Sequence, residues 1–170
     1  QPNLPKDLEE ISSTIPHPEG ITLDDKDNIY VSSASTGDIF VLSRKDIKVH
    51  ANTKGRPLGI AFSKKNSSLI VADATRKAIL RISLGNGSIS QICNQYDDMD
   101  LNGPSDLIIT DNDEIIFTDP IRNPFPNPCI SPVYKLLKNN KPELFLADLA
   151  FPSGIANLEN KILISETRAN

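Results

Sequence analysis

One phrase recurs four times along the chain: a proline, a variable residue, then glycine or a stand-in for it. It reads Pro18-Glu19-Gly20-Ile21, Pro57-Leu58-Gly59-Ile60, Pro104-Ser105-Asp106-Leu107 and Pro152-Ser153-Gly154-Ile155. The prolines lie 39, 47 and 48 residues apart. Such a period marks stacked supersecondary units, none of which can bury its apolar face alone. Each phrase leads into a short apolar run, as at residues 21–23 and 107–109, and then into a polar turn. The turns, Asp24-Asp25-Lys26-Asp27-Asn28, Lys64-Lys65-Asn66-Ser67 and Asp111-Asn112-Asp113, use short polar side chains that satisfy turn backbone and tolerate left-handed conformations. A second run follows at 29–31, 69–72, 115–117 and 162–164, rich in β-branched residues and too short for a helix. A third, at 39–42, 79–82 and 133–137, and a more polar fourth, at 47–50, 89–93 and 143–147, complete the first three units.

Four antiparallel strands per 40 to 50 residues is the pattern of a β-propeller blade. A β-sandwich also has many short strands, but sandwiches do not usually repeat their sequence. No segment holds helical periodicity over three turns. The chain is therefore expected to be all-β, a single partial propeller domain over 1–170, with units at roughly 16–56, 57–103, 104–151 and 152–170. Residues 8–15 read as an outer strand ahead of the first unit, and the fourth unit stops after its second strand, so about three and a half blades are expected. Closed propellers carry roughly 4 to 8 blades. An open edge would invite pairing with another strand, from a missing C-terminal half or from a second copy that completes the ring.

The 18 Lys and Arg against 22 Asp and Glu give a formal charge of -4, and neither sign is gathered into a stripe, which argues against a nucleic-acid partner. No run approaches the roughly 20 apolar residues of a membrane-spanning helix. The start at Gln1, without Met or an apolar leader, fits either a removed signal peptide or a cut chain, and an exported location, secreted or periplasmic, is favoured over the cytoplasm. Cys93 and Cys129 could pair in an exported protein or stay thiols in a reducing one. Asn66-Ser67-Ser68 and Asn86-Gly87-Ser88 fit the glycosylation sequon, a pattern short enough to occur by chance.

The phrases "PEGI", "RPLGIAF" with "IVADA", "NGPSDLIIT" with "FTDP", and "FPSGIANLENKILISET" resemble the senescence marker protein/gluconolactonase-like family of six-bladed propellers, kin to strictosidine synthase-like and NHL-type propellers. The likeness runs from about Pro16 to the end of the chain. It implies one divalent cation, calcium or zinc, in the central channel, and hydrolysis of a lactone or ester. Oxygen ligands from different inner strands could hold a hard cation there, and the cation would polarise a carbonyl and acidify a bound water. Under the resemblance, Glu19 falls on the first metal-binding carboxylate, and Asn102 on a channel asparagine that contacts metal or substrate. Ser153 stands where the family has a metal-ligating asparagine, a departure that weakens that ligand. The family's metal-ligating aspartate, the leading base candidate, belongs to a blade beyond Asn170, so no catalytic residue is assigned.

Each candidate also has a structural reading. Glu19 could cap a turn, and Asn102 beside Gly103-Pro104 could serve turn chemistry alone. Asp106 is expected to bond loop backbone. Asp119, a candidate substrate contact, matches Asp73 and Glu166 in place, which favours one repeated structural role for all three. Neither His17 nor His50 is assigned a role. The Pro-rich stretch 124–129 could form a lid on the substrate side. The leading expectation is a metal-dependent lactonase-like hydrolase, inactive as this chain alone. The alternatives are a non-catalytic propeller that binds a protein or small ligand, or a strictosidine synthase-like protein.

Overall fold

Apolar residues at successive positions of a strand point to opposite faces, and here both faces are buried. In the central strand β6 (Ser68–Asp73) every residue is buried. Leu69 and Val71 pack on one side into a core with Tyr30, Ile39 and Val41, while Ile70 and Ala72 pack on the other with Leu107, Phe117 and Tyr134. A strand covered on both sides has no polar face to display, so its sequence reads as a continuous apolar run.

A computed structural model describes residues 11–43, 46–124, 126–159 and 161–168. The first sheet is formed by β1 (Pro18–Leu23), β2 (Ile29–Ser33), β3 (Asp38–Ser43) and β4 (Asp46–Asn52). The second comprises β5 (Pro57–Ser63), β6, β7 (Ala78–Ser83) and β8 (Ile89–Cys93). A ribbon of β9 (Gln95–Tyr96) and β10 (Met99–Asp100) follows. The third sheet has β11 (Leu107–Ile109), β12 (Ile115–Thr118), β13 (Ser131–Leu136) and β14 (Pro142–Leu149). A final pair, β15 (Pro152–Leu158) and β16 (Lys161–Glu166), begins a fourth. Each of the larger sheets is an antiparallel meander in sequence order, and the described residues contain no helix. Of the segment 8–15, residues 8–10 lie outside the described residues, and 11–15 form no strand.

The sheets stand like leaves of a fan, with inner strands β1, β5, β11 and β15 touching in that order. Three cores fill the gaps between neighbours: sheets one and two around Leu69 and Leu80, two and three around Phe117, three and four around Val133 and Ile155. The β9–β10 ribbon, absent from the sequence reading, turns on Asp97 and Asp98, both at positive φ (51° and 60°), the backbone of a type I′ hairpin. Its Tyr96 lies with its ring centre 4.7 Å from that of Tyr134 and so covers the second core.

Gly20 and Gly59 explain the repeated phrase. A Cβ on Gly20 would come within 2.4 Å of the Leu58 carbonyl oxygen, and one on Gly59 within 2.4 Å of Asp106 Oδ1 and 2.7 Å of Asp106 Cα. Inner strands of the first three sheets thus pass too close for a side chain, and the phrase's glycine keeps the contact open.

Both cysteines are free thiols, Cys93 buried and Cys129 exposed. Burial pushes the Cys93 thiol up. A thiol reagent at neutral pH is expected to modify Cys129 promptly and Cys93 only with unfolding, because the thiolate is the reactive form; mass spectrometry before and after urea reads this directly.

Candidate functional site

The variable residue of each phrase sits at the start of an inner strand, and the fan brings all four together. Glu19, Leu58, Ser105 and Ser153, with Gly59 and Asp106, line a cleft of about 150 Å³ at the hub of the sheets. Two of the three proposed metal ligands, Glu19 and Ser153, share this cleft. Asn102, in the loop that leads into β11, and Asp119, just past the end of β12, lie outside its lining.

Two residues at the end of each second strand build the hub. The first is Ser32, Ala72, Thr118 or Ser165. Register slips between Pro18 and Ile21, and between Pro152 and Gly154, release backbone from the ladder. Where a hydroxyl is present it accepts the N–H of the phrase's third residue: Gly20 to Ser32 Oγ at 2.9 Å, Asp106 to Thr118 Oγ1 at 3.0 Å, Gly154 to Ser165 Oγ at 3.0 Å. Ala72 has no hydroxyl, and the Gly59 N–H instead donates to the Ser105 carbonyl of the next sheet at 2.8 Å. Ser32 also donates to the Leu58 carbonyl at 2.5 Å, tying β1 to β5 beside Glu19.

The second residue is Ser33, Asp73, Asp119 or Glu166, and each fastens the loop leading into its own inner strand. Ser33 donates to the Pro16 carbonyl, Asp73 accepts the N–H of Arg56, and Glu166 accepts that of Ala150. Asp119, fully buried, does most. It takes the N–H of Asn102 at 2.9 Å and of Gly103 at 2.8 Å, and the Asn102 side-chain amide at 3.0 Å. Burial pushes the Asp119 carboxyl up, against the pull of these donors and of Arg122. The carboxylate oxygens are thus occupied by the 102–103 loop, and Asp119 fastens Asn102 through both its backbone and its side chain. The Asn102 Nδ2 is held by Asp119 on a residue that is otherwise exposed. Arg122 closes the loop from outside by donating to the Gly103 carbonyl and, at 3.2 Å, to that of Pro120.

Replacing Asp119 with alanine is expected to cost about 2 kcal/mol, since it strands buried N–H donors, whereas Asn102→Ala at an exposed site should cost under about 0.5 kcal/mol. Urea unfolding of the two variants distinguishes the anchor from the group it presents.

Asp106 is the site residue whose place in the cleft the sequence reading passed over. It is the one non-glycine third residue of the phrase. Its Oδ1 accepts its neighbour Leu107 N–H, and its Oδ2 reaches across to the Ile155 N–H of the fourth sheet at 2.9 Å. Burial raises its pKa, and those two donors oppose the rise. It thus fixes β15, and with it Ser153, against the cleft. The exception in the repeat was the available signal. The described residues of the 124–129 stretch join β12 to β13 and are mostly exposed.

The oxygen donors of the cleft suit a hard cation more than zinc, which prefers nitrogen and sulfur. Glu19 offers a carboxylate, but both Asp106 oxygens already accept N–H groups, and Ser153 Oγ lies 2.5 Å from Thr167 Oγ1 and 3.3 Å from Ser165 Oγ. Among the described residues no group of three or more His, Cys, Asp or Glu is placed to hold a metal. These residues therefore make at most one sector of a six- to eight-oxygen shell.

Known structures share this fold. A protein named as a candidate gluconolactonase superposes with a TM-score of 0.79 at 17% identity, over 92% of this chain and 58% of its own. The gluconolactonase XC5397 of Xanthomonas campestris gives 0.79 at 24% identity, over 90% and 55%. The fold is that of a β-propeller. Virginiamycin B lyase of Staphylococcus aureus, at 0.69 and 18% identity over 88% and 48%, has the same blades. The chain thus spans a little over half the length of the gluconolactonase propellers, and its sheets are three full blades with the inner half of a fourth among the described residues. In sequence, 65 residues, 38% of the chain, are 38% identical to Protein STRICTOSIDINE SYNTHASE-LIKE 3 of Arabidopsis thaliana, covering 16% of that protein. The family described as SdiA-regulated matches residues 1–42.

Proposed function

We propose that this chain forms the first wall of the active cleft of a lactonase-like hydrolase acting on a lactone or ester carbonyl. The observation that carries the reading is the meeting of Glu19, Ser105 and Ser153 in one cleft at the hub. In this reading Glu19 holds a calcium-like cation together with oxygens from further blades. When bound, that cation would polarise the substrate carbonyl and acidify a water. Asn102, held in orientation by Asp119, accepts a substrate hydroxyl on its amide oxygen. Asp106 keeps the wall closed between the third and fourth blades.

Ring closure belongs to the same reading. Ile21 and Leu23 on β1 and Leu163 on β16 are exposed apolar side chains on the two outermost sheets. Further blades, from the rest of a longer protein or from a second copy, would cover them.

The test is hydrolysis of glucono-δ-lactone by the complete protein that carries this chain, followed as acid release. Turnover that is lost on chelation and restored by calcium supports the reading, and a full-length protein inert with calcium, zinc and manganese overturns it. The second reading is a ligand-binding or strictosidine synthase-like propeller without lactone-opening activity. It is favoured by Ser153, whose hydroxyl is engaged with Thr167 and Ser165, and by the sequence match to the strictosidine synthase-like protein.

A further inference from the structure

The opposite ends of the inner strands carry a second cavity, remote from Glu19. Between the second and third blades, a hollow of about 310 Å³ opens where the β5–β6, β11–β12 and β13–β14 turns converge. Its charged lining consists of Lys65, Arg81, Lys138 and Asp113. Lys65 and Asp113 form an ion pair at 3.3 Å with both side chains well exposed. That leaves Arg81 and Lys138 as surplus positive charge in a chain whose formal net charge is -4.

Arg81 is the decisive group. It projects from β7 beside Ile70, its cross-strand partner, and its Nε is buried with no hydrogen-bond acceptor among the described residues. Leaving a charged donor unpaired in a buried setting is costly, and buried donors are otherwise nearly always paired. The floor of the cavity, Ile70, Ile115 and Leu136, belongs to the core between the two blades. An apolar floor with convergent cationic groups is the make-up of a small-ligand site.

The corresponding groove between the third and fourth blades shows that this is not a general property of the fold. It is larger, about 500 Å³, and is lined by Asp111, Glu114 and Glu159 against Lys135 and Lys161, with Lys135 paired to Glu114 at 2.8 Å. Three carboxylates there face two ammonium groups, so no positive charge is left over.

We propose that the cavity between the second and third blades binds a small organic oxyanion, a phosphate or carboxylate whose charged head is held by Arg81 and Lys138 and whose carbon part rests on Ile70, Ile115 and Leu136. This site is separate from the hub cleft and does not depend on the lactonase reading.

The experiment follows backbone amide shifts of the ¹⁵N-labelled chain on titration with inorganic phosphate and with glycerol 3-phosphate, with chloride at matched ionic strength as control. Saturable shifts confined to the three turns and β7, tighter with glycerol 3-phosphate, are the expected result. Arg81→Met, which keeps the aliphatic stem, and Lys138→Met at an exposed turn should each weaken binding about tenfold, the loss of one charge-assisted contact. Asp113→Asn should strengthen it, by freeing Lys65; asparagine accepts the positive φ of 61° at that position. Should Arg81→Met fail to fold, Lys138→Met and Asp113→Asn decide. Shifts no different from those with chloride, or affinities unchanged in the surface variants, overturn the proposal.

Discussion

Gly59→Ala is expected to cost about 3 kcal/mol, at the upper end of what overpacking a closed site exacts. The new methyl would meet Asp106 Cα at 2.7 Å and Leu107 N at 3.1 Å, so the obstacle is the backbone of the next blade and no rotamer change relieves it. Relief requires β11 to move, and with it Asp106, whose Oδ2 holds the Ile155 N–H of the fourth blade. The damage should therefore spread across two blade interfaces. Gly85→Ala is the internal control. A Cβ there meets only Ser83 Oγ at 3.7 Å, and the restricted unfolded chain should make it neutral or stabilising by up to about 1 kcal/mol. Urea midpoints for the pair, at unchanged m-values, measure the difference. Equal stabilities would mean that the blades do not approach through the phrase's glycine.

Glu19→Gln is expected to act in the reverse sense, with little effect on stability and a large one on activity. Glu19 is exposed at the hub, and its backbone is fixed independently of its side chain by the Gly20 N–H on Ser32 and by Ser32 on the Leu58 carbonyl. The substitution keeps shape and removes charge, which a hard cation values most in a ligand. Groups that merely support a metal ligand cost 10- to 100-fold when altered, so if Glu19 holds the cation as proposed, its loss should lower kcat/KM by about 100-fold or more.

The propeller was legible because the physical cause of the repeat is local. Glycine in the third place answers a close approach that recurs at the first two blade interfaces, and the polar residues after each first strand answer a turn that recurs with it. The shared place of Asp73, Asp119 and Glu166 was visible for the same reason, since each ties down the loop before its own inner strand. What escaped the sequence were consequences of contact between units. Asp106 reaches a backbone N–H almost fifty positions away, and nothing in its own phrase announces that partner. The β9–β10 ribbon has strands of two residues, too short for any periodicity, and rests on paired aspartates at positive φ that composition alone does not distinguish from a loop. Lys65 and Arg81 come from one blade and Lys138 from the next, and they converge only because the two blades pack side by side. Asn102 was visible as an exception among the phrases, but the carboxylate that holds it comes from the far end of the second strand.

The role of the hub cleft is read most directly from kcat/KM for lactone opening by the complete protein, wild type against Glu19→Gln, with the melting temperature of each recorded in the same buffer. A loss of about 100-fold at an unchanged melting temperature is the predicted result. Equal rates in the two proteins would contradict it and remove Glu19, and the cleft with it, from the chemistry.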